Sequence, residues 1–318
     1  MSRPNFFIVG QPKSGTTAFY EFLGAHPEIF VPERKEVHYF CTDFHRENAA
    51  VHGTPLHFPI RTEADYLALF HAWNGERVVG EASVHYLYSA EAAREIHRFA
   101  PDAKILVFLR NPADFLFSWH AHSLVSNGET IESFEEALAA EEDRRQGRRL
   151  TSLVKVPSYL HYSARVRYAE QIARFLELFP PERVKVVLYD DFVADIGAVY
   201  RDLLEFLEVD PEFVPDFKVV NARKRLRFKQ AARFTKLPAV KRTLDALVPK
   251  PLREKLGLPR LFAALFHARD RSAPLSPETR RALMERYRGE VQAVSVLLGR
   301  DLGPAWGYGP LLRTAETA

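Results

Sequence analysis

The run Phe6-Phe7-Ile8-Val9-Gly10-Gln11-Pro12-Lys13-Ser14-Gly15-Thr16-Thr17 constrains the fold of this chain more than any other segment. Four consecutive apolar residues suit a strand covered on both faces, and Phe19, Phe22 and Leu23 then recur at helical spacing. A strand that feeds a helix through a short loop leaves the helix's first N–H groups free at the positive end of its dipole, which makes an anion site. Gly15 permits a tight turn, Ser14, Thr16 and Thr17 add hydroxyl donors, and Lys13 brings a full positive charge. The segment predicts a phosphate-cradling loop and a nucleotide-dependent enzyme. The bland alternative is a glycine-serine turn that holds nothing.

Register narrows the choice of nucleotide. A nucleoside-triphosphate loop places lysine directly after its second glycine. Here Gly10 and Gly15 have the right spacing, but Thr16 stands in the lysine position and Lys13 comes two residues before Gly15. A second apolar run, Lys104-Ile105-Leu106-Val107-Phe108-Leu109, ends in Arg110-Asn111-Pro112 and a helical pattern through Phe115, Leu116 and Trp119. Arg110 is thus expected at the carboxyl end of a strand, the edge where open parallel sheets bind ligands. Ser118 lies eight residues further on, about two helical turns away, so that an arginine and a hydroxyl can converge on one phosphate.

With these residues in view, Pro12 to Thr17 resembles the 5′-phosphosulfate loop of sulfotransferases that use 3′-phosphoadenosine 5′-phosphosulfate (PAPS). Arg110 and Ser118 match the positions that hold the 3′-phosphate in that family. The block His26-Pro27 to Pro32, with Lys35-Glu36-Val37-His38-Tyr39-Phe40 after it, resembles one in the carbohydrate and heparan-sulfate-type sulfotransferases and their bacterial relatives. Gly80-Glu81-Ala82-Ser83 and the helix Tyr168-Ala169-Glu170-Gln171 are similar to further blocks, although Ala82 and Val84 replace the lysine and proline found there. The resemblance implies PAPS as co-substrate, 3′-phosphoadenosine 5′-phosphate (PAP) as product and no metal. It also implies Lys13, Ser14, Gly15, Thr16, Thr17, Arg110, Ser118, Arg223 and Lys224 as cofactor-binding residues, and Lys13 as the group that stabilises the leaving oxygen.

The general base stays open between three residues. Glu36 occupies the family's glutamate position, and a carboxylate beside the acceptor hydroxyl can take its proton. His85 and His38 compete, because an unperturbed imidazole titrates near neutral pH. The acceptor is expected to be hydroxylated, as a sugar, a glycolipid or a small metabolite, and the loops of 41–73 and 127–157 are expected to supply its site.

The alternation of apolar runs and helical patterns predicts an α/β fold, a P-loop-like parallel sheet flanked by helices, in a single domain spanning 1–318. Strands are expected at Phe6 to Val9, Val78 to Gly80, Ile105 to Leu109 and Val184 to Tyr189. Helices are expected near 64–73, 90–99, 133–140, 167–179, 199–207 and 276–298. Residues 221–271 are strongly basic, with apolar residues interleaved, and predict a helical cap. It either closes over the cofactor, docks on a membrane surface or anionic acceptor, or is a solvated face. The net charge of +3 gives no argument for nucleic acid. A lone Cys41 excludes an intrachain disulfide and fits a reducing cytoplasm. Two rival classes remain. One is a kinase using ATP and magnesium, with Asp190 as its metal aspartate. The other is a non-catalytic protein that docks through the basic segment.

Overall fold

The computed structural model describes residues 3–54, 56–217, 224–226, 267–269 and 274–312. At its centre lie β1 Phe6–Gly10, β2 Ile29–Phe30, β3 Val78–Ala82, β4 Lys104–Leu109 and β5 Val184–Leu188. They form one all-parallel sheet in the order β2-β3-β1-β4-β5. Four of these strands stand where apolar runs predict them. β2 is only two residues long, too short for periodicity to reveal, and β5 stops one residue early because Tyr189 opens a helix.

Helices cover both faces of the sheet, as its continuous apolar strands require. Phe6, Ile8, Leu106 and Phe108 pack with Phe19, Phe22, Tyr200 and Leu203 on one side. Phe7, Val9, Ile105, Val107 and Leu109 pack with Phe115, Trp119, Tyr168 and Ile172 on the other. From β1 the chain moves outward to β2 and β3, then crosses back to β4. The resulting switch point puts the crevice at the carboxyl end of β1, between the ends of β3 and β4.

Local chemistry explains the helices that border this crevice. Asn111 caps the helix Pro112–Ser126 by accepting from the Ala113 N–H at 2.9 Å, and Pro112 needs no partner at the first helical position. The Arg-Asn-Pro triplet is therefore strand end, cap and first turn. Ser276 likewise caps Pro277–Leu298, which stops at Gly299 with φ 61°.

Three segments differ from expectation. The helix expected over 64–73 is a short α-helix, Glu63–Leu67, followed by a 3-10 turn, Ala68–Phe70. The stretch expected to be an acceptor loop begins with a helix, Thr42–His52, whose buried face carries Phe44, His45 and Asn48. Two polar residues on that face hide its apolar period. This helix joins the two expected acceptor segments: the Asn48 amide donates to the Lys155 carbonyl at 2.7 Å, and the His52 ring lies 2.8 Å from the Val154 carbonyl. Of the basic segment, only β6 Lys224–Leu226 and β7 His267–Arg269 are described. They pair antiparallel, where the sequence predicts helices alone. The expected cap helices lie outside the described residues. No described helix is long and apolar enough to cross a membrane.

Candidate active site

The loop after β1 enters the helix Thr16–Leu23 through Lys13 at φ 65° and Gly15 at φ 87°. A Cβ on Gly15 would sit 2.7 Å from the Phe192 ring, so backbone angle and space both demand glycine there. The Ser14 hydroxyl is fully buried and has no hydrogen-bond partner among the described residues. An orphaned donor inside an N–H-lined loop is the signature of a site built for a ligand oxygen.

From the end of β4, the Arg110 guanidinium donates to the Lys13 carbonyl at 3.0 Å and lies 4.6 Å from the Tyr189 ring centre. Arg110 thereby braces the loop as well as adding charge to it. Ser118 is buried on the helix that Asn111 caps. Arg223 lies outside the described residues, and Lys224 is described only as the first residue of β6.

The opposite wall is a loop held down by β3. The Glu36 N–H donates to the Ala82 carbonyl at 2.9 Å, and the His38 N–H donates to the Ser83 hydroxyl at 2.9 Å. The Glu36 carboxylate accepts from the Val84 N–H at 3.0 Å. Glu36 and His38 both have positive φ, at 61° and 52°, a strained geometry that these three bonds maintain. The Gly-Glu-Ala-Ser block is the anchor for this loop. Behind it, Ser83 donates to the Glu81 carboxyl at 2.6 Å, and burial pushes the Glu81 pKa up to about 8.

Lys35 was legible in the sequence only as a charged neighbour of Glu36. Its side chain is 13 % exposed. The ammonium lies 3.3 Å from the Thr16 hydroxyl, 3.2 Å from the Thr17 hydroxyl and 3.2 Å from the Glu36 carboxylate. It bridges the loop after β1 and the candidate base. No sequence spacing predicts this, because 18 residues separate Lys35 from Thr17.

Both histidines lie on the same side as Glu36. The His38 Nε2 is 3.6 Å from Glu36, too far for a direct hydrogen bond, and burial lowers its pKa to about 4 against the pull of that carboxylate. The His85 ring centre is 5.0 Å from that of His38 and 4.3 Å from that of Tyr159. Burial, with the Arg165 cation beside it, pushes the His85 pKa well below the imidazole range. Asp190, the residue that a kinase would place on magnesium, instead accepts from the Trp306 indole at 2.9 Å, and its neighbour Asp191 accepts from Arg300 at 2.7 and 2.9 Å. They secure the last helical segment.

Comparison with known proteins follows this geometry. The profile of the Sulfotransferase family matches residues 4–213. A sulfotransferase from Alicyclobacillus acidocaldarius, solved by crystallography, superposes with a TM-score of 0.69 at 31% identity, over 96% of this chain and 99% of that one. Among curated relatives, the human bifunctional heparan sulfate N-deacetylase/N-sulfotransferase 3 is 28% identical over 66% of this chain and 23% of its own length. Carbohydrate sulfotransferase 15 of Rattus norvegicus is 27% identical over 74% of this chain and 46% of its own length. This chain thus spans less than half of either curated relative.

Proposed function

The chain belongs to the sulfotransferase family, and from that membership we propose that it moves a sulfuryl group from PAPS to a hydroxyl or amine of an acceptor. The observation that carries the proposal is the convergence of three elements on one crevice: the Lys13 to Thr17 loop, Arg110 at the end of β4, and the Lys35-Glu36 pair. The residues fit the co-substrate. A helix N-terminus and three hydroxyls, the orphaned Ser14 donor among them, suit a 5′-phosphate, and Arg110 with the buried Ser118 suits a 3′-phosphate. We extend the 3′-phosphate set to Arg223 and Lys224.

PAPS supplies a sulfuryl group already joined to a good leaving group. In-line transfer of such a group depends on positioning and charge stabilisation. Lys13 neutralises charge at the departing 5′-phosphate, and the Ser14 to Thr17 loop holds that phosphate. Glu36 takes the acceptor proton. Lys35, between the loop hydroxyls and Glu36, supplies a second cation near the reacting oxygens and replaces the loop lysine that the register lacks. Glu36 is preferred over His85 as base because the buried His85, facing Arg165, binds a proton poorly. The acceptor we propose is a carbohydrate, a glycolipid or a small hydroxylated metabolite. The heparan sulfate and carbohydrate sulfotransferases among its relatives support the first of these.

Calorimetric titration of PAP into the wild type, Lys13→Ala and Arg110→Ala tests the proposal, with ATP and magnesium as the control ligand. Micromolar PAP affinity, lost in Arg110→Ala, is expected. A preference for ATP, or no binding of either nucleotide, refutes it.

A further inference from the structure

Arg165 is a fully buried cation to which the proposed chemistry assigns no task. It closes the short helix Tyr162–Arg165, and its guanidinium carbon lies 4.2 Å from the Tyr88 ring centre, 4.4 Å from that of Trp119 and 5.6 Å from that of Tyr159. Its Nε and Nη1 have no hydrogen-bond partner, and among the described residues no carboxylate pairs with it. Three aromatic faces offset part of the cost of burying this charge. Among the described residues, its one polar side-chain contact is from Nη2 to His85 Nδ1, at 3.2 Å.

That contact has a single chemical solution. A guanidinium carries donors only, so the atom facing it must offer a lone pair. Burial lowers the Arg165 pKa only to about 10, and the group stays charged at neutral pH. Nδ1 of His85 is therefore unprotonated, and the one proton of the neutral ring sits on Nε2. We infer that Arg165 is a positioning residue that locks His85 as its neutral Nε2–H tautomer, a hydrogen-bond donor beside His38 that accepts no proton.

The other charged and titratable groups that act on His85 are His38 from the β3-anchored loop, His122 from the helix Pro112–Ser126, and Lys155. Each opposes an imidazolium at this position. The consequence for catalysis rests on the sulfuryl-transfer proposal. As the acceptor oxygen bonds to sulfur, its proton passes to Glu36, and the breaking sulfur–oxygen bond leaves its electron pair on the 5′-phosphate of PAP. His85 gives up nothing and takes nothing.

The test is NMR of the full chain labelled with 15N-histidine, from pH 5 to 9, with His85→Gln to assign the signals. In the wild type, His85 is expected to show an unprotonated-type Nδ1 shift and a protonated-type Nε2 shift across the whole range. Arg165→Met and Arg165→Leu, which carry no donor, are expected to lose this single form, giving mixed tautomers. A proton on Nδ1, or an imidazolium signal within that range in the wild type, overturns the inference. So does an unchanged Nε2–H form in either folded variant. The wild-type spectrum decides by itself if neither variant folds. PAP titration is independent of this readout: loss of PAP binding with the tautomer intact removes the functional proposal alone, and the reverse result removes this inference alone.

Discussion

Replacing Glu81 by glutamine should convert a pH-sensitive fold into a flatter one. The carboxyl is 1 % exposed and accepts from the Ser83 hydroxyl, and its second oxygen has no hydrogen-bond partner among the described residues. Burial raises its pKa from 4.5 to about 8, with the Glu36 charge adding to the rise and the Ser83 hydrogen bond opposing it. Between those two values the folded chain keeps a proton that the unfolded chain has released. The stability associated with the protonated carboxyl is thus complete below pH 4.5 and is lost as pH rises through 8. The loss is about 1.4 kcal/mol per pH unit, reaching roughly 3 kcal/mol at pH 7 and on the order of 5 kcal/mol above pH 8. That is a large share of the ~5–15 kcal/mol that holds a domain folded. Glutamine keeps the shape and cannot ionise, at a cost of about 1 kcal/mol for an extra unpaired N–H. Urea unfolding at pH 5, 7 and 9 measures the difference. The variant should be slightly less stable than the wild type at pH 5 and more stable by several kcal/mol at pH 9. A stability difference that does not change with pH would refute the reasoning. Because Ser83 links Glu81 to the His38 N–H, ionisation of Glu81 should also loosen the loop that carries Glu36.

Further outcomes follow from the same contacts. Lys35→Met should leave PAP affinity within a few-fold of wild type while lowering sulfuryl transfer by about 10²–10³-fold. An equal loss in PAP affinity would show that Lys35 serves ground-state binding only. Gly15→Ala must accept φ 87° and a 2.7 Å approach to Phe192, so thermal unfolding should report a loss of about 1–3 kcal/mol. Wild-type stability in that variant would mean that the loop relaxes freely. Asn111→Ala removes a helix cap and the donor to the Trp306 carbonyl at 2.8 Å, and urea unfolding should show a cost of about 1–3 kcal/mol. A smaller effect would place the stability of that corner elsewhere.

Much of the fold, and the contiguous part of the candidate site, was legible in the chain. The strand at Phe6, the loop residues Lys13 to Thr17 and the Arg110 strand end are contiguous patterns. Contiguous apolar runs and cap residues act over a few positions, the distance at which sequence can be read directly. The Thr42–His52 helix was hidden because His45 and Asn48 lie on its buried face, where they hydrogen-bond across to the loops they hold. Lys35 was hidden for a related reason. Its ion pair with Glu36 is local, but its contacts with Thr16 and Thr17 exist only once β3 has anchored the intervening loop.

The sequence by itself determined an α/β chain with a tight strand-to-helix loop and an arginine at a strand end, because glycine, proline and apolar spacing dictate local backbone geometry. Only the tertiary structure decided how the remaining charges are spent. It directs Asp190 and Asp191 to Trp306 and Arg300, sets Lys35 between the loop and Glu36, buries Glu81 beneath Ser83, and turns Arg165 toward the lone pair of His85. A side chain's charge state and partner depend on burial and on neighbours distant in the chain, and those exist only in the folded molecule.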